Sequence, residues 1–181
     1  ENTGEPGPPA PVLVTIGDSI TMGIQDAGLK YDFQVNNYPY LIAQQMGISG
    51  VFRQPYLLET SPGIAGPPYK EPLKLVNGEI DAVLWDFEST VPEEQAQELL
   101  DYVVNQLPDS TIFANGRFHN LGVSGARLFD IQYTTNAETS QDENNVFFDL
   151  VLLNSLNDTS RTVLTQAQEM EPDYIILWIG N

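Results

Sequence analysis

The pentapeptide Gly17-Asp18-Ser19-Ile20-Thr21 follows directly on the apolar run Val12-Leu13-Val14-Thr15-Ile16, so a serine hydroxyl stands where a buried strand ends. Open α/β sheets present their reactive groups at that edge. A serine hydroxyl is a weak nucleophile by itself, and acyl transfer from Ser19 requires a neighbouring base and donors for the developing oxyanion. Thr21 occupies the place of the closing glycine in a G-x-S-x-G nucleophile elbow, which argues against the standard α/β-hydrolase arrangement. The alternative is a helix N-cap, in which Asp18 or Ser19 satisfies free backbone N–H groups.

Two more segments bear on that choice. Asn120-Leu121-Gly122-Val123-Ser124-Gly125 offers a glycine whose bare backbone N–H can approach a substrate, with Asn120 and Ser124 able to hold the loop by local hydrogen bonds. The same residues also suit a plain turn with glycines at positive φ. Tyr174-Ile175-Ile176-Leu177-Trp178-Ile179-Gly180-Asn181 has the pattern of a second buried strand, ending in Gly-Asn. Taken in order, the three segments resemble the successive blocks of the SGNH hydrolases, also called GDSL esterases and lipases. The resemblance spans most of the chain, with close matches confined to these short blocks.

That resemblance implies a three-layer α/β/α sandwich with a mainly parallel, flavodoxin-like sheet, and hydrolysis of an ester or thioester without a cofactor. It makes Ser19 the nucleophile and, through its backbone N–H, the first oxyanion donor; Gly125 becomes the second, with Asp18 and Asn120 as loop support. The family's third block reads Gly-x-Asn-Asp. With Gly180 as its glycine, Asn181 falls on the variable position, next to the oxyanion hole, and the catalytic asparagine would be the following residue. The family's Asp-x-x-His has no counterpart, so the expectation is a domain incomplete at its carboxyl end whose base is supplied by further sequence. His119 is the sole histidine. It is a candidate replacement base, against the alternative of a residue solvated or bonded to backbone. The other function class in view is a non-catalytic protein on the same scaffold that binds carbohydrate or a partner.

The elements that must position these groups follow from periodicity and breakers. Tyr38 to Gly47 reads as the first helix, with Pro39 in its opening turn. An insertion is expected over roughly 50–115. Within it, Arg53 to Pro72 is Pro- and Gly-rich and reads as an irregular surface excursion. Pro72 to Val76 and Glu79 to Phe87 form a hairpin across Asn77-Gly78. Pro92 to Leu107, Val146 to Leu156 and Ser160 to Met170 read as amphipathic helices, and their alternation with strands favours a parallel sheet. Phe52, Tyr56 and Tyr69 either line a substrate pocket or anchor loops to the core, and Arg127 faces either a substrate carboxylate or Asp130 at i,i+3. Lipid, aryl ester and acetylated sugar all remain open as substrates.

Seven basic and 25 acidic residues give a net charge of −18, a field that repels phosphate backbones and excludes nucleic acid as a natural partner. The chain has no cysteine and one histidine, which leaves little with which to build a thiolate or zinc site, and the acidic pairs Glu93-Glu94 and Asp142-Glu143 lack the spacing of a calcium loop. With 181 residues of which 41% are hydrophobic, one domain over 12–181 can bury a core. Residues 1–11 read as a Pro/Gly-rich tether. Together with the acidity, that tether favours a secreted, periplasmic or cell-surface lipoprotein, with the cytoplasm as the alternative.

Overall fold

Leu13 to Gly17 are buried to the last residue, as expected of a strand in the middle of a sheet covered on both sides. The computed structural model describes residues 9–65, 69–84, 98, 101–108, 117–141, 145–154 and 159–180. In chain order the elements are β1 (Leu13–Gly17), α1 (Ser19–Met22), β2 (Gly28–Leu29), α2 (Tyr31–Gln34), α3 (Tyr38–Gln45) and β3 (Ile64–Ala65). There follow β4 (Lys74–Val76), β5 (Glu79–Asp81), β6 (Asn120–Gly122), α4 (Leu128–Tyr133), α5 (Phe147–Leu152), α6 (Val163–Glu169) and β7 (Tyr174–Trp178). The central sheet is parallel, in the order β6-β1-β7, with Thr15 opposite Asn120 and Gly17 opposite both Gly122 and Trp178.

Because side chains alternate along a strand, β1 feeds two apolar clusters. Leu13 packs with Ala43 of α3, Ile48 and Phe52, while Val14 and Ile16 join Leu121, Phe148, Leu150, Val163 and Ala167. The result is α/β, with a small, mainly parallel sheet. Gly17 and Gly122 allow α1 to sit close on the strand ends. A methyl on Gly17 would run into the Thr21 side chain of α1 and the Trp178 carbonyl oxygen, and one on Gly122 would run into the Met22 backbone.

Several expectations need correction. The first helical turn is α1, then α2; the helix expected from Tyr38 comes third, capped by the Asn37 side chain, which accepts from the Tyr40 N–H at 3.0 Å. Residues 53–72 are not simply a surface excursion, because Gln54, Pro55, Leu57, Gly63, Ile64 and Ala65 are buried and β3 pairs with β2. Side-chain amides make this burial tolerable. Gln34 donates to the Pro55 carbonyl at 2.7 Å and accepts from the Leu57 N–H at 2.9 Å, satisfying backbone that belongs to no regular element.

The hairpin is present as β4 and β5 across Asn77-Gly78, both at positive φ as a type I′ turn demands. Its second strand ends at Asp81, although Lys70 still donates to the Val83 carbonyl at 2.8 Å. Of the helix expected over Pro92 to Leu107, Glu98 and residues 101–104 are helical and 92–97, 99 and 100 lie outside the described residues. The segment from Val146 is not amphipathic: every residue of α5 is buried, and it stops at Leu153, whose φ of 51° breaks the helix. The largest departure is β7. Among the described residues it is an edge strand paired only with β1, and Tyr174, Ile175, Leu177 and Trp178 are each more than half exposed, despite a sequence typical of a strand covered on both faces. Residues 1–8 of the tether, both acidic pairs and Asn181 lie outside the described residues. No described helix is long and apolar enough to cross a membrane.

Candidate functional site

Ser19 is the first residue of α1, directly beyond the carboxyl end of β1. Asp18 caps the turn, its Oδ1 accepting from the Ile20 N–H at 3.0 Å, which leaves Ser19 half-buried. The cap role therefore falls to Asp18, and the Ser19 hydroxyl is not consumed by it. Neither the hydroxyl nor the backbone N–H of Ser19 has a hydrogen-bond partner among the described residues. The carbonyl of Ser19 accepts from Gly23 at 3.0 Å and Ile24 at 2.9 Å, with Gly23 in the left-handed region at φ 99°. That closes the turn after a single revolution.

The loop after β6 lies alongside. Val123 donates to the Gly17 carbonyl at 3.0 Å, tying it to the strand end that carries Ser19. Ala126 donates to the Val123 carbonyl at 3.1 Å, and Gly125 has φ 78°, so 123–126 form a type II turn whose third position demands a positive φ. The Gly125 N–H has no partner among the described residues. Gly180, at φ 99°, follows β7 at the same edge, since Trp178 is level with Gly17. Three loops thus gather at one edge, carrying Ser19, Gly125 and Gly180. Tyr38 closes the side: its hydroxyl lies 2.8 Å from Thr21 Oγ1 and its ring 6.4 Å from that of Trp178. Burial pushes the Tyr38 phenol above its ordinary pKa.

Asn120 sits below this edge, 2% exposed and with all its polar capacity used. Its Oδ1 accepts from Thr15 Oγ1 at 3.2 Å and from the Gly122 N–H at 3.0 Å. Its Nδ2 donates to the Thr21 carbonyl and to Gln54 Oε1, both at 2.9 Å. Gln54 Oε1 also accepts from Asn37 Nδ2 at 2.9 Å, and Gln54 Nε2 donates to the Gln34 carbonyl at 2.8 Å. Four buried amide side chains therefore hold the floor under Ser19. Of these, sequence reasoning reached Asn120 alone; Gln34, Asn37 and Gln54 carry no motif, and only their position among apolar neighbours marks them.

His119 is not a base for Ser19. In the β6–β1 register it stands level with Val14, three residues or about 10 Å back from Gly17. Its Nδ1 accepts from the Arg53 N–H at 3.0 Å, and its ring lies 5.6 Å from that of Phe52. Burial, seconded by the Arg53 charge, lowers its pKa to about 4. The unfolded chain then takes up a proton below about pH 6.5 while the folded one does not, so stability is complete above that pH and falls as pH drops towards 4. Discounted for solvent screening, the loss is about 1–2 kcal/mol. Urea titrations from pH 7 to 4 should record it, and His119→Gln, whose amide oxygen can still accept, should flatten that part of the profile.

Arg127 meets Asp130 through its backbone, the Arg127 N–H donating to Asp130 Oδ2 at 2.9 Å as α4 begins. Phe52 belongs to the core, and Tyr56 packs on Tyr31 and Tyr40 with ring centroids 5.8 Å and 6.2 Å away, its phenol pushed up to about 12 by burial. Both anchor their loop. Tyr69 bridges to Leu84 at the hairpin base. Among the described residues no cluster of His, Cys, Asp or Glu is arranged to hold a metal ion. Comparison with protein-family models, curated proteins and solved structures finds no match for the chain.

Proposed function

We propose that the chain carries the nucleophile and two oxyanion donors of a serine hydrolase acting on carboxylic esters, built on a three-layer SGNH-type sandwich. The observation that carries this reading is the 3.0 Å bond from Val123 to the Gly17 carbonyl, which brings the Ser19 turn and the Gly125 turn to one edge, each with an unpaired backbone N–H among the described residues. In the proposed reaction the base takes the Ser19 hydroxyl proton as Oγ attacks the ester carbonyl carbon, and the carbonyl oxygen becomes an oxyanion facing both N–H groups. The alcohol leaves with a proton delivered by the base, and water then releases the acyl group.

In this reading the base is a histidine supplied by further sequence, because His119, the sole histidine of these 181 residues, is held elsewhere. Exposed apolar side chains on α1, at the start of α4 and at the end of β7, namely Ile20, Leu128, Phe129 and Trp178, favour an ester with an apolar acyl or alcohol part. The absence of a base near Ser19 among the described residues favours the second reading, a binding protein for carbohydrate or a partner. A fluorophosphonate probe decides between them. Covalent labelling at Ser19, located by peptide mass spectrometry in protein that supplies an Asp-x-x-His block, is the expected result. No labelling there would leave the binding reading.

A further inference from the structure

We infer that Asn145 is a positioning residue for the oxyanion hole, setting the direction in which the Gly125 N–H points; this rests on the ester-hydrolase reading. Asn145 Nδ2 donates to the Ser124 carbonyl at 2.8 Å. That carbonyl and the Gly125 N–H belong to one planar trans peptide and point in opposite directions. Whatever holds the carbonyl therefore aims the N–H.

The turn gives this hold a function. Types I and II differ by a flip of the central peptide, here Ser124–Gly125, and a glycine at the third position tolerates both. The Ala126 to Val123 bond is common to the two types and does not choose. Gly125 at φ 78° is in the type II arrangement, and the bond from Asn145 is what a flip would break. Accepting that bond also polarises the peptide and makes the Gly125 N–H a stronger donor. Asn145 is itself fixed by its Oδ1, which accepts from the Phe147 N–H at 3.2 Å at the start of α5, and by its own N–H, which donates to Ser140 Oγ at 3.3 Å. A side chain just ahead of the buried helix α5 thus reaches the catalytic edge without touching substrate.

The test uses Asn145→Asp, which keeps the acceptor for Phe147 and loses the donor, beside the uncharged Asn145→Ala. In the full-length protein, kcat on a p-nitrophenyl ester should fall about tenfold to a hundredfold in both, less than deletion of an oxyanion donor, with KM changed by less than about twofold. The Gly125 amide signal in NMR spectra should shift and broaden while that of Asn120 stays in place, a readout independent of turnover. Unchanged kcat together with an unmoved Gly125 signal would overturn the role and leave the hydrolase reading standing. Absence of turnover and of Ser19 labelling in the native protein would overturn both.

Discussion

Ser19→Ala is expected to lower ester turnover by at least about a thousandfold in protein that carries its base, because a serine hydrolase without its nucleophile retains only what binding and the oxyanion hole supply. Fluorophosphonate labelling should disappear altogether. Thermal stability should stay within about 0.5 kcal/mol of the native value, since the hydroxyl makes no hydrogen bond among the described residues and Asp18 alone caps α1. That combination separates a catalytic group from a structural one. An N-cap serine would show the reverse, with stability falling and turnover surviving, and turnover that persists in the variant means that another residue does the chemistry. The scale of the effect also distinguishes Ser19 from the donors around it, since loss of a single oxyanion N–H typically costs about a hundredfold to a thousandfold.

What could be read in the sequence was local. A run of five apolar or β-branched residues ended by Gly17 reads as a buried strand, and β1 is one. Asn77-Gly78 fixes a hairpin turn by its tolerance of positive φ, and β4 and β5 flank it. The helix from Tyr38 is equally plain, with Pro39 in its first turn and Gly47 at its stop. These signals depend on backbone preferences of a few neighbouring residues. Burial by distant parts of the chain leaves no such mark. Tyr174 to Trp178 has the composition of a central strand but occupies an edge, because composition records what a strand is suited to pack against and not which neighbours are present. Residues 53–57 look like loop and are loop, yet Gln54, Pro55 and Leu57 are buried because Gln34, over 20 positions away, supplies the hydrogen bonds that a strand or helix would otherwise supply.

The candidate site divides in the same way. Ser19 and Gly125 can be singled out because a serine just past a strand end and a glycine in a loop are local features, and the resemblance places the proposed nucleophile and donor on them. Asn145 was not, since its contribution is a single bond across 21 positions to the Ser124 carbonyl. His119 was visible for the wrong reason. The residue type suggests a base, while the bond that its Nδ1 accepts from the Arg53 N–H and its place three residues back from the strand end make it a structural acceptor.

Asn120→Leu should be the most destabilising single change at the floor of this edge, costing about 3–5 kcal/mol, a large part of the stability of an ordinary domain. Four partners lose their bonds at once: the Gly122 N–H, the Thr21 carbonyl, the Thr15 hydroxyl and one acceptor site on Gln54. Leucine is close in size, so the loss comes from unmet hydrogen bonds and not from a cavity. Because Thr21 belongs to α1, the change also unseats the turn that carries Ser19. Thr15→Val is the matched control. It removes only the 3.2 Å bond to Asn120 Oδ1, which keeps the Gly122 N–H, and should cost below about 1 kcal/mol. In a double-mutant cycle, Asn120→Leu and Gln54→Leu together should cost at least about 1 kcal/mol less than the sum of the single changes, as expected of two amides sharing one hydrogen bond in a network. Chemical denaturation measures all four proteins. Equal, small losses for Asn120→Leu and Thr15→Val, or strict additivity with Gln54, would mean that the amides are passengers in the core and that the apolar clusters alone hold α1 against the sheet.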